Sequence, residues 1–265
     1  MRERLGVWAC ALSILAVGGW MMVGAHTPEP SPFTVAVAAA LPAAVIVPGT
    51  ARPGVVSPAA EGLQPAAAGS APVSLETGNA GLVSPEWVRD TAAATLIPER
   101  ALLGYAGAAL RIAAEVPSCR LGWTTLAALG SIESGHGTNA GSALAADGVD
   151  RPAVFGPLLD GASYDAVADT DGGTWDAAAN ADRAVGPLQF IPSTWRAWGA
   201  DGNGDEVTDP QQIDDAALAA GHYLCHYGDL SQPVDWRAAV FAYNHVDSYV
   251  DSVAAAANAY AAQAG

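Results

Sequence analysis

The sequence predicts a mainly α-helical domain with an irregular excursion containing short β-structure, preceded by a disordered linker. Three observations support this fold class. Apolar residues recur at helical spacing in several segments between residues 97 and 262. Residues 138–185 show little periodicity and are rich in Gly and Asp, which predicts a long functional loop region. Residues 26–82 are Ala- and Pro-rich with almost no charge, so the domain is expected at 83–265.

The first 25 residues are typical of a targeting segment. Arg2 and Arg4 precede the apolar run Leu5 to Val23, and small residues follow at Gly24 and Ala25. This pattern favours a cleaved signal peptide, but the run is also close to the roughly 20 residues that span a bilayer. An uncleaved membrane anchor is therefore the alternative, and both readings predict export. The linker would then be a spacer or simply a low-complexity insert.

The charge balance excludes one class of partner. The formal net charge is −16, from 11 Lys+Arg and 27 Asp+Glu, and every cation is Arg. Without a basic surface to follow a phosphate backbone, nucleic-acid binding is not expected. An acidic, monomeric domain that acts on a neutral or zwitterionic substrate fits this composition.

The three cysteines fit an exported protein. Cys10 lies in the targeting segment, which leaves Cys119 and Cys225 as an even pair in an oxidising compartment. We predict a disulfide between them, with two buried free thiols as the alternative.

The helices are expected in the following order. A first helix opens at Ile97-Pro98 and ends before Pro117, and a second spans about 122–134. Pro192 suits the first turn of a short helix. Asp209-Pro210 is an N-cap pattern that predicts a helix to about Tyr227, and Asp235 is a candidate cap for a helix over 236–244. The last helix is expected from about Asp247 to Ala262.

Glu133 is the principal candidate for catalysis. It lies in an apolar helical run that stops at Gly135 and Gly137, so it occupies the last turn of a helix packed into the core. Burial and the negative end of the helix dipole both oppose ionisation. A carboxyl group that stays protonated near neutral pH can act as a general acid. The alternative is a helix-end glutamate that simply reaches solvent.

Four motifs in order resemble a known family. They are Ile97-Pro-x-Arg100, Glu133-Ser-Gly-His-Gly137, Gly186-Pro-Leu-Gln189-Phe-Ile-Pro-Ser-Thr-Trp195 and Tyr243-Asn244. Together they resemble the lytic murein transglycosylases, with the membrane-bound type B family as the nearest pattern, within the lysozyme-like superfamily. Two positions depart from that pattern: Val246 replaces a frequent serine, and Asp182–Val185 replaces a run of small residues.

The resemblance implies an activity and roles for the residues in these motifs. The activity is cleavage of the β-1,4 bond between N-acetylmuramic acid and N-acetylglucosamine in peptidoglycan strands, with a 1,6-anhydro product. Glu133 would be the sole acid and base. Gln189 would hydrogen-bond the saccharide or orient Glu133, Tyr243 would donate to Glu133, and Asn244 would hold an N-acetyl group. Ser134 aligns with a small hydroxyl residue that contacts substrate or caps the helix.

Other candidate sites are weaker. Asp201, Asn203, Asp205, the Val207 carbonyl and Asp209 resemble the start of a calcium loop, although Glu206 replaces the expected glycine and Gln212 the final glutamate. Asp169 and Asp171 form a second such pattern. Calcium would be structural, and no cofactor is expected to be required. Among the tryptophans, Trp175 is the candidate for stacking on glycan, because it lies in the loop region.

Two other functions remain open from the sequence. A muramidase would hydrolyse the same bond with water, and one of the loop aspartates would then serve as its second carboxylate. A non-catalytic domain that binds the cell wall would use the same groove without cleavage.

Overall fold

The computed structural model describes residues 78–162 and 164–264. The predicted targeting segment, Cys10 and the linker up to residue 77 lie outside these residues. In the described part, no helix is both long enough and apolar enough to cross a membrane.

Helices dominate the described residues, which confirms the predicted fold class. The α-helices are α1 (Pro85–Thr95), α2 (Glu99–Glu115), α3 (Trp123–Ser134), α4 (Pro192–Trp198), α5 (Ile213–Cys225), α6 (Pro233–Tyr243) and α7 (Asp247–Ala264), with short 3-10 turns at Gly78–Leu82 and Asn139–Gly141.

Helix α3 is the centre of the domain. Every residue from Trp123 to Gly130 is buried, so this helix is enclosed on all sides by α2, α5 and α7. Gly130 permits the closest approach: a Cβ there would lie 1.9 Å from the Tyr105 hydroxyl oxygen of α2. The core therefore fixes the position of the helix that ends at Glu133.

The loop region between α3 and α4 contains two short antiparallel pairs of strands. Strand β1 (Ala143–Leu144) pairs with β2 (Asp150–Arg151), and β3 (Phe155–Leu158) pairs with β4 (Arg183–Val185) with an irregular register. This confirms the short β excursion. It also places β3 and β4 beside the end of α3.

Three helix starts differ from the sequence expectation. Helix α1 was not predicted; the Ser84 hydroxyl caps it, and Pro85 occupies its first turn. Helix α5 begins at Ile213 rather than after Asp209, because the Gln212 side chain accepts hydrogen bonds from the Asp214 and Asp215 N–H groups. Helix α6 begins at Pro233 behind Gln232, so Asp235 lies inside its first turn and is not the cap.

Two long-range links stabilise this arrangement. The predicted disulfide between Cys119 and Cys225 is present and joins the segment before α3 to the end of α5. Arg100, from the first motif, forms a largely buried ion pair with Asp214 at the start of α5. Residues 78–82, which we assigned to the linker, pack with the domain: Asn79 is buried and donates its N–H to the Gly202 carbonyl.

Candidate active site

Glu133 lies at the end of α3, where the chain turns sharply away. Gly135 adopts a left-handed conformation (φ 59°), and the His136 N–H donates to the Gly130 carbonyl at 2.8 Å. These bonds satisfy carbonyls at the helix end and stop the helix. The Glu133 side chain is 9 % exposed, so the solvent-reaching alternative does not describe it.

Burial raises the pKa of Glu133 to about 7, and one hydrogen bond acts in the opposite direction. That bond comes from the Tyr249 hydroxyl on α7, which donates to Glu133 Oε1 at 2.5 Å. The same contact, together with burial, raises the pKa of Tyr249 well above its usual value, so the tyrosine remains a donor. Near neutral pH the site therefore holds a carboxyl group that exchanges a proton readily.

A cavity of about 310 Å³ opens in front of Glu133. Its walls come from β3, β4, the 186–191 segment and helices α4, α5 and α6. Among the described residues that line it, Glu133 is the only acidic one. The lining residues are Glu133, Pro157, Ala184, Gln189, Phe190, Ile191, Thr194, Tyr223, Ala242, Tyr243, Asn244 and His245. The cavity thus brings together Glu133, Gln189, Tyr243 and Asn244 from three distant parts of the sequence.

Gln189 is presented by a tight turn over residues 186–189. Val185 and Phe190 exchange backbone hydrogen bonds across the turn, and Gln189 itself has a left-handed backbone (φ 50°). Gly186 is needed because its φ is 77° and a Cβ would lie 1.7 Å from the Pro210 carbonyl oxygen. The Gln189 side-chain N–H group donates to the Gly186 carbonyl at 2.8 Å. The side-chain oxygen Oε1 of Gln189 then faces Gly156 of β3.

Two predicted substrate-binding residues hold this turn in place. The Ser134 hydroxyl donates to the Pro187 carbonyl at 2.6 Å and accepts from the Gly137 N–H. The Tyr243 hydroxyl donates to the Leu188 carbonyl at 2.7 Å, so its expected donation to Glu133 is wrong and Tyr249 makes that contact instead. Ser134 is fully buried and does not line the cavity. Its position indicates that Ser134 holds the 186–189 turn against the end of α3 and does not contact substrate.

Trp175 lies away from the cavity. It is partly buried against the core, its backbone N–H donates to Asp171 Oδ2, and the Arg196 guanidinium lies 5.9 Å from its ring. It is not among the lining residues of the cavity, and its segment contacts α4 through Arg196, which donates to the Thr170 carbonyl and lies over the Trp175 ring.

The two acidic loops have different geometries. In the predicted calcium loop, Asp201, Asn203 and Asp205 all accept backbone N–H groups from residues 204–207. Asp209 accepts the Gln211 N–H in a local turn, which explains why it does not cap α5. In the other loop, the ligand atoms of Asp169, Asp171 and Asp182 lie within 4.8 Å of one another. Among the described acidic, histidine and cysteine side chains, this is the group of three close enough to share an ion.

The sequence analysis missed several residues of the site. Tyr249 is the most important, followed by Tyr223 and His245 in the cavity wall. Tyr249 lies in a buried helical stripe with Val250, Val253 and Ala257, which is typical of a core position. No local pattern pairs it with a glutamate 116 residues earlier.

Comparison with known families gives one result. Residues 177–242 match the model of a family described as the transglycosylase SLT domain. The matched segment contains the Gly186–Gln189 turn, α4, α5 and most of α6, and it excludes Glu133. It supports the resemblance to the lytic transglycosylases and the lysozyme-like superfamily, with peptidoglycan as the general substrate class. The narrower type B assignment stays a prediction. Neither the curated proteins nor the solved structures yield a match.

Proposed function

We propose that this protein is an exported lytic transglycosylase that cleaves the β-1,4 bond between N-acetylmuramic acid and N-acetylglucosamine. One observation supports it above the others. Glu133 is the only acidic residue among the described residues that line the cavity, and burial raises its pKa to about 7. Hydrolysis of a glycoside usually employs two carboxylates, whereas formation of an anhydro ring needs one group that serves as acid and then as base.

The reaction follows from the position of this single carboxyl group. Protonated Glu133 donates its proton to the glycosidic oxygen, and the bond from that oxygen to C1 of the muramoyl residue breaks. The resulting carboxylate accepts the proton of the C6 hydroxyl of the same sugar, and O6 bonds to C1. Because the nucleophile is part of the substrate, its effective concentration at C1 exceeds that of water.

The surrounding residues contribute orientation. Tyr249 holds Glu133 Oε1 and stabilises the carboxylate form between the two proton transfers. The Gly186–Gln189 turn, which Ser134 and Tyr243 tie down, presents Gln189 to the saccharide. Asn244 and His245 lie on the wall formed by the end of α6, where an N-acetyl group would be held.

Export is supported by the disulfide between Cys119 and Cys225, because disulfides persist in oxidising compartments. The N-terminal 25 residues would direct it, either as a cleaved signal or as an anchor.

Mass spectrometry of digested peptidoglycan tests the activity. The wild-type protein should release muropeptides with 1,6-anhydromuramoyl ends, and Glu133→Gln should release them at least about a hundredfold more slowly. Fragments with reducing ends would instead identify a hydrolytic muramidase. Binding of peptidoglycan without any fragments from the wild type would identify a wall-binding domain.

The acidic side chains whose ligand atoms lie within 4.8 Å of one another are those of Asp169, Asp171 and Asp182. Calcium at the Asp201–Asp209 loop is a separate proposal, which rests on the order of its oxygen ligands in the sequence. The donors there are all oxygens, the type that calcium prefers, and the N–H groups of residues 204–207 hold Asp201, Asn203 and Asp205 around one turn. A bound ion would stabilise the loop and take no part in the reaction. Thermal unfolding with calcium or a chelator tests this, and comparison of Asp201→Asn with Asp169→Asn shows which acidic loop is responsible.

A further inference from the structure

A second depression lies next to the catalytic cavity and has no role in the reaction proposed above. Its volume is about 520 Å³, and its walls come from the last turn of α4, the segment after it and the end of α5. Trp198, His222 and His226 contribute the ring side chains of its lining.

The depression and the cavity both take lining residues from α4 and α5. On α4, Thr194 lines the cavity and Trp198 lines the depression, one helical turn later on the same face. On α5, Tyr223 lines the cavity while His222 and His226 line the depression. Tyr223 of the cavity lining and Trp198 of the depression lining are in contact, with ring centroids 5.5 Å apart, so the two hollows are neighbours.

A chain of aromatic contacts connects the two hollows. The Tyr243 and Tyr223 ring centroids are 5.6 Å apart, and Tyr223 and Trp198 are 5.5 Å apart in an edge-to-face arrangement. The chain then passes to His226, 5.6 Å from Trp198. Trp198 is half-buried and His226 is exposed, so these rings meet solvent at the surface rather than filling the core.

We propose that this depression is an additional saccharide subsite, in which Trp198 is the stacking platform for glycan units beyond those in the cavity. The inference rests on the proposed function, because a polymeric glycan must leave the cavity along the surface. The C–H faces of pyranose rings are apolar and pack on aromatic rings, while their hydroxyls need polar neighbours. His222 and Glu115, whose side chains are 2.8 Å apart, offer such neighbours at the rim.

The charge of the depression favours sugar over stem peptide. No Arg or Lys is present among the described residues that line it. An anionic peptide therefore gains no opposite charge there, whereas neutral N-acetylated sugars need none.

Binding measurements in the Glu133→Gln background test the subsite without cleavage. The probes are chitobiose, which is short enough to bind in the cavity alone, and chitohexaose, both free of peptide. Trp198→Ala should weaken chitohexaose binding roughly tenfold and leave chitobiose binding unchanged. Trp198→Phe should recover most of the loss because it keeps an aromatic ring. Equal affinities of Trp198→Ala and its parent for chitohexaose would overturn the subsite.

Two further variants guard against a fold defect. Trp175→Ala removes another half-buried tryptophan that lies outside both hollows, and it should bind chitohexaose as the parent does. His226→Ala changes an exposed residue and should weaken chitohexaose binding two- to threefold. Loss of binding with Trp175→Ala rather than Trp198→Ala would place the platform on the loop side, against the proposal. The proposal would also be contradicted if Trp198→Ala weakened binding only of glycan strands that carry stem peptides.

The failure of this inference is distinguishable from failure of the proposed function. If the wild type releases no anhydro ends while Trp198 still governs chitohexaose binding, the subsite stands and the reaction is wrong. If anhydro ends appear while Trp198→Ala binds normally, the reaction stands and the subsite is wrong.

Discussion

Two regions of the domain hold buried carboxyl groups with pKa values raised to about 7, and one of them lines the 310 Å³ cavity. Glu133 lines that cavity. Asp150 and Asp215 are at the start of α5, where the Asp150 N–H donates to the Gln211 carbonyl and Asp215 lies in the first turn. In all three groups burial is the largest cause of the shift.

Their partners differ. Asp215 accepts backbone N–H groups from Gly202, Asn203 and Asp209, so it organises the loop that precedes the helix. Neither oxygen of Asp150 has a hydrogen-bond partner, and the charge of Asp209 adds to its raised pKa. Glu133 has one donor and an open side toward the cavity. A raised pKa alone therefore does not identify a catalytic acid; the access to substrate does.

The largest expected effect separates the two regions by activity. Glu133→Gln should lower the rate of glycan cleavage by about 10²–10⁴, because it removes the proton donor and keeps the side-chain shape. Asp150→Asn and Asp215→Asn should cleave at close to the wild-type rate. Release of soluble muropeptides measures all three under one condition. Loss of activity in Asp150→Asn with an intact fold would contradict the inference that Asp150 takes no part in cleavage.

The second effect concerns stability at the start of α5. Asp215→Ala removes the acceptor of three backbone N–H groups, one of which is buried, and should cost about 2–4 kcal/mol of unfolding free energy. Asp215→Asn keeps one acceptor oxygen and should lose less. Urea unfolding of the disulfide-intact chain measures both variants. Equal stability of Asp215→Ala and wild type would show that water replaces the carboxylate.

The third effect is the pH dependence of stability. Asp150 has a higher pKa in the folded state than in the unfolded state, so its protonated form favours folding. This contribution is complete below about pH 4 and is lost as the pH rises toward about 7. Asp150→Asn should therefore flatten the decline of unfolding free energy between pH 4 and 7 by up to about 1 kcal/mol per pH unit, after partial screening by solvent. Parallel profiles for the two proteins would show that Asp150 does not titrate in this range.

The sequence was sufficient where the determinants were local. The apolar run of α3 and the glycines after it predicted both the helix and the position of Glu133, because period and stop residues act within a few turns. The disulfide followed from the pair of cysteines, Cys119 and Cys225, that lies outside the predicted targeting segment. The role of Gln189 came from the family resemblance rather than from its local sequence, and the structure places Gln189 in the cavity lining.

Contacts between distant segments were not predictable. Tyr249 reads as a core residue because its neighbours on α7 are valines, and only the packing of α7 on α3 brings it to Glu133. Asp209-Pro210 is a good local cap pattern, yet Gln212 caps α5. The Asp209 N–H donates to the Asp215 carboxylate, and the Asp209 carboxylate accepts the Gln211 N–H in a local turn. In both cases, contacts made in the folded structure outweigh the local sequence pattern.

The smallest expected effect returns to the cavity and concerns Tyr249. Its hydroxyl stabilises the Glu133 carboxylate, so Tyr249→Phe should raise the pKa of Glu133 above 7, by about one unit. In the proposed reaction, cleavage needs protonated Glu133. We therefore expect kcat/KM of the wild type to fall as the pH rises above about 7, and in the variant this fall should begin at higher pH. Tyr260→Phe is the matched control, because Tyr260 is on the same helix but contacts His136 Nε2. If the alkaline limb moves with Tyr260→Phe, or stays in place with Tyr249→Phe, the limb reports a group other than Glu133, and the assignment of Glu133 as the acid loses its electrostatic support.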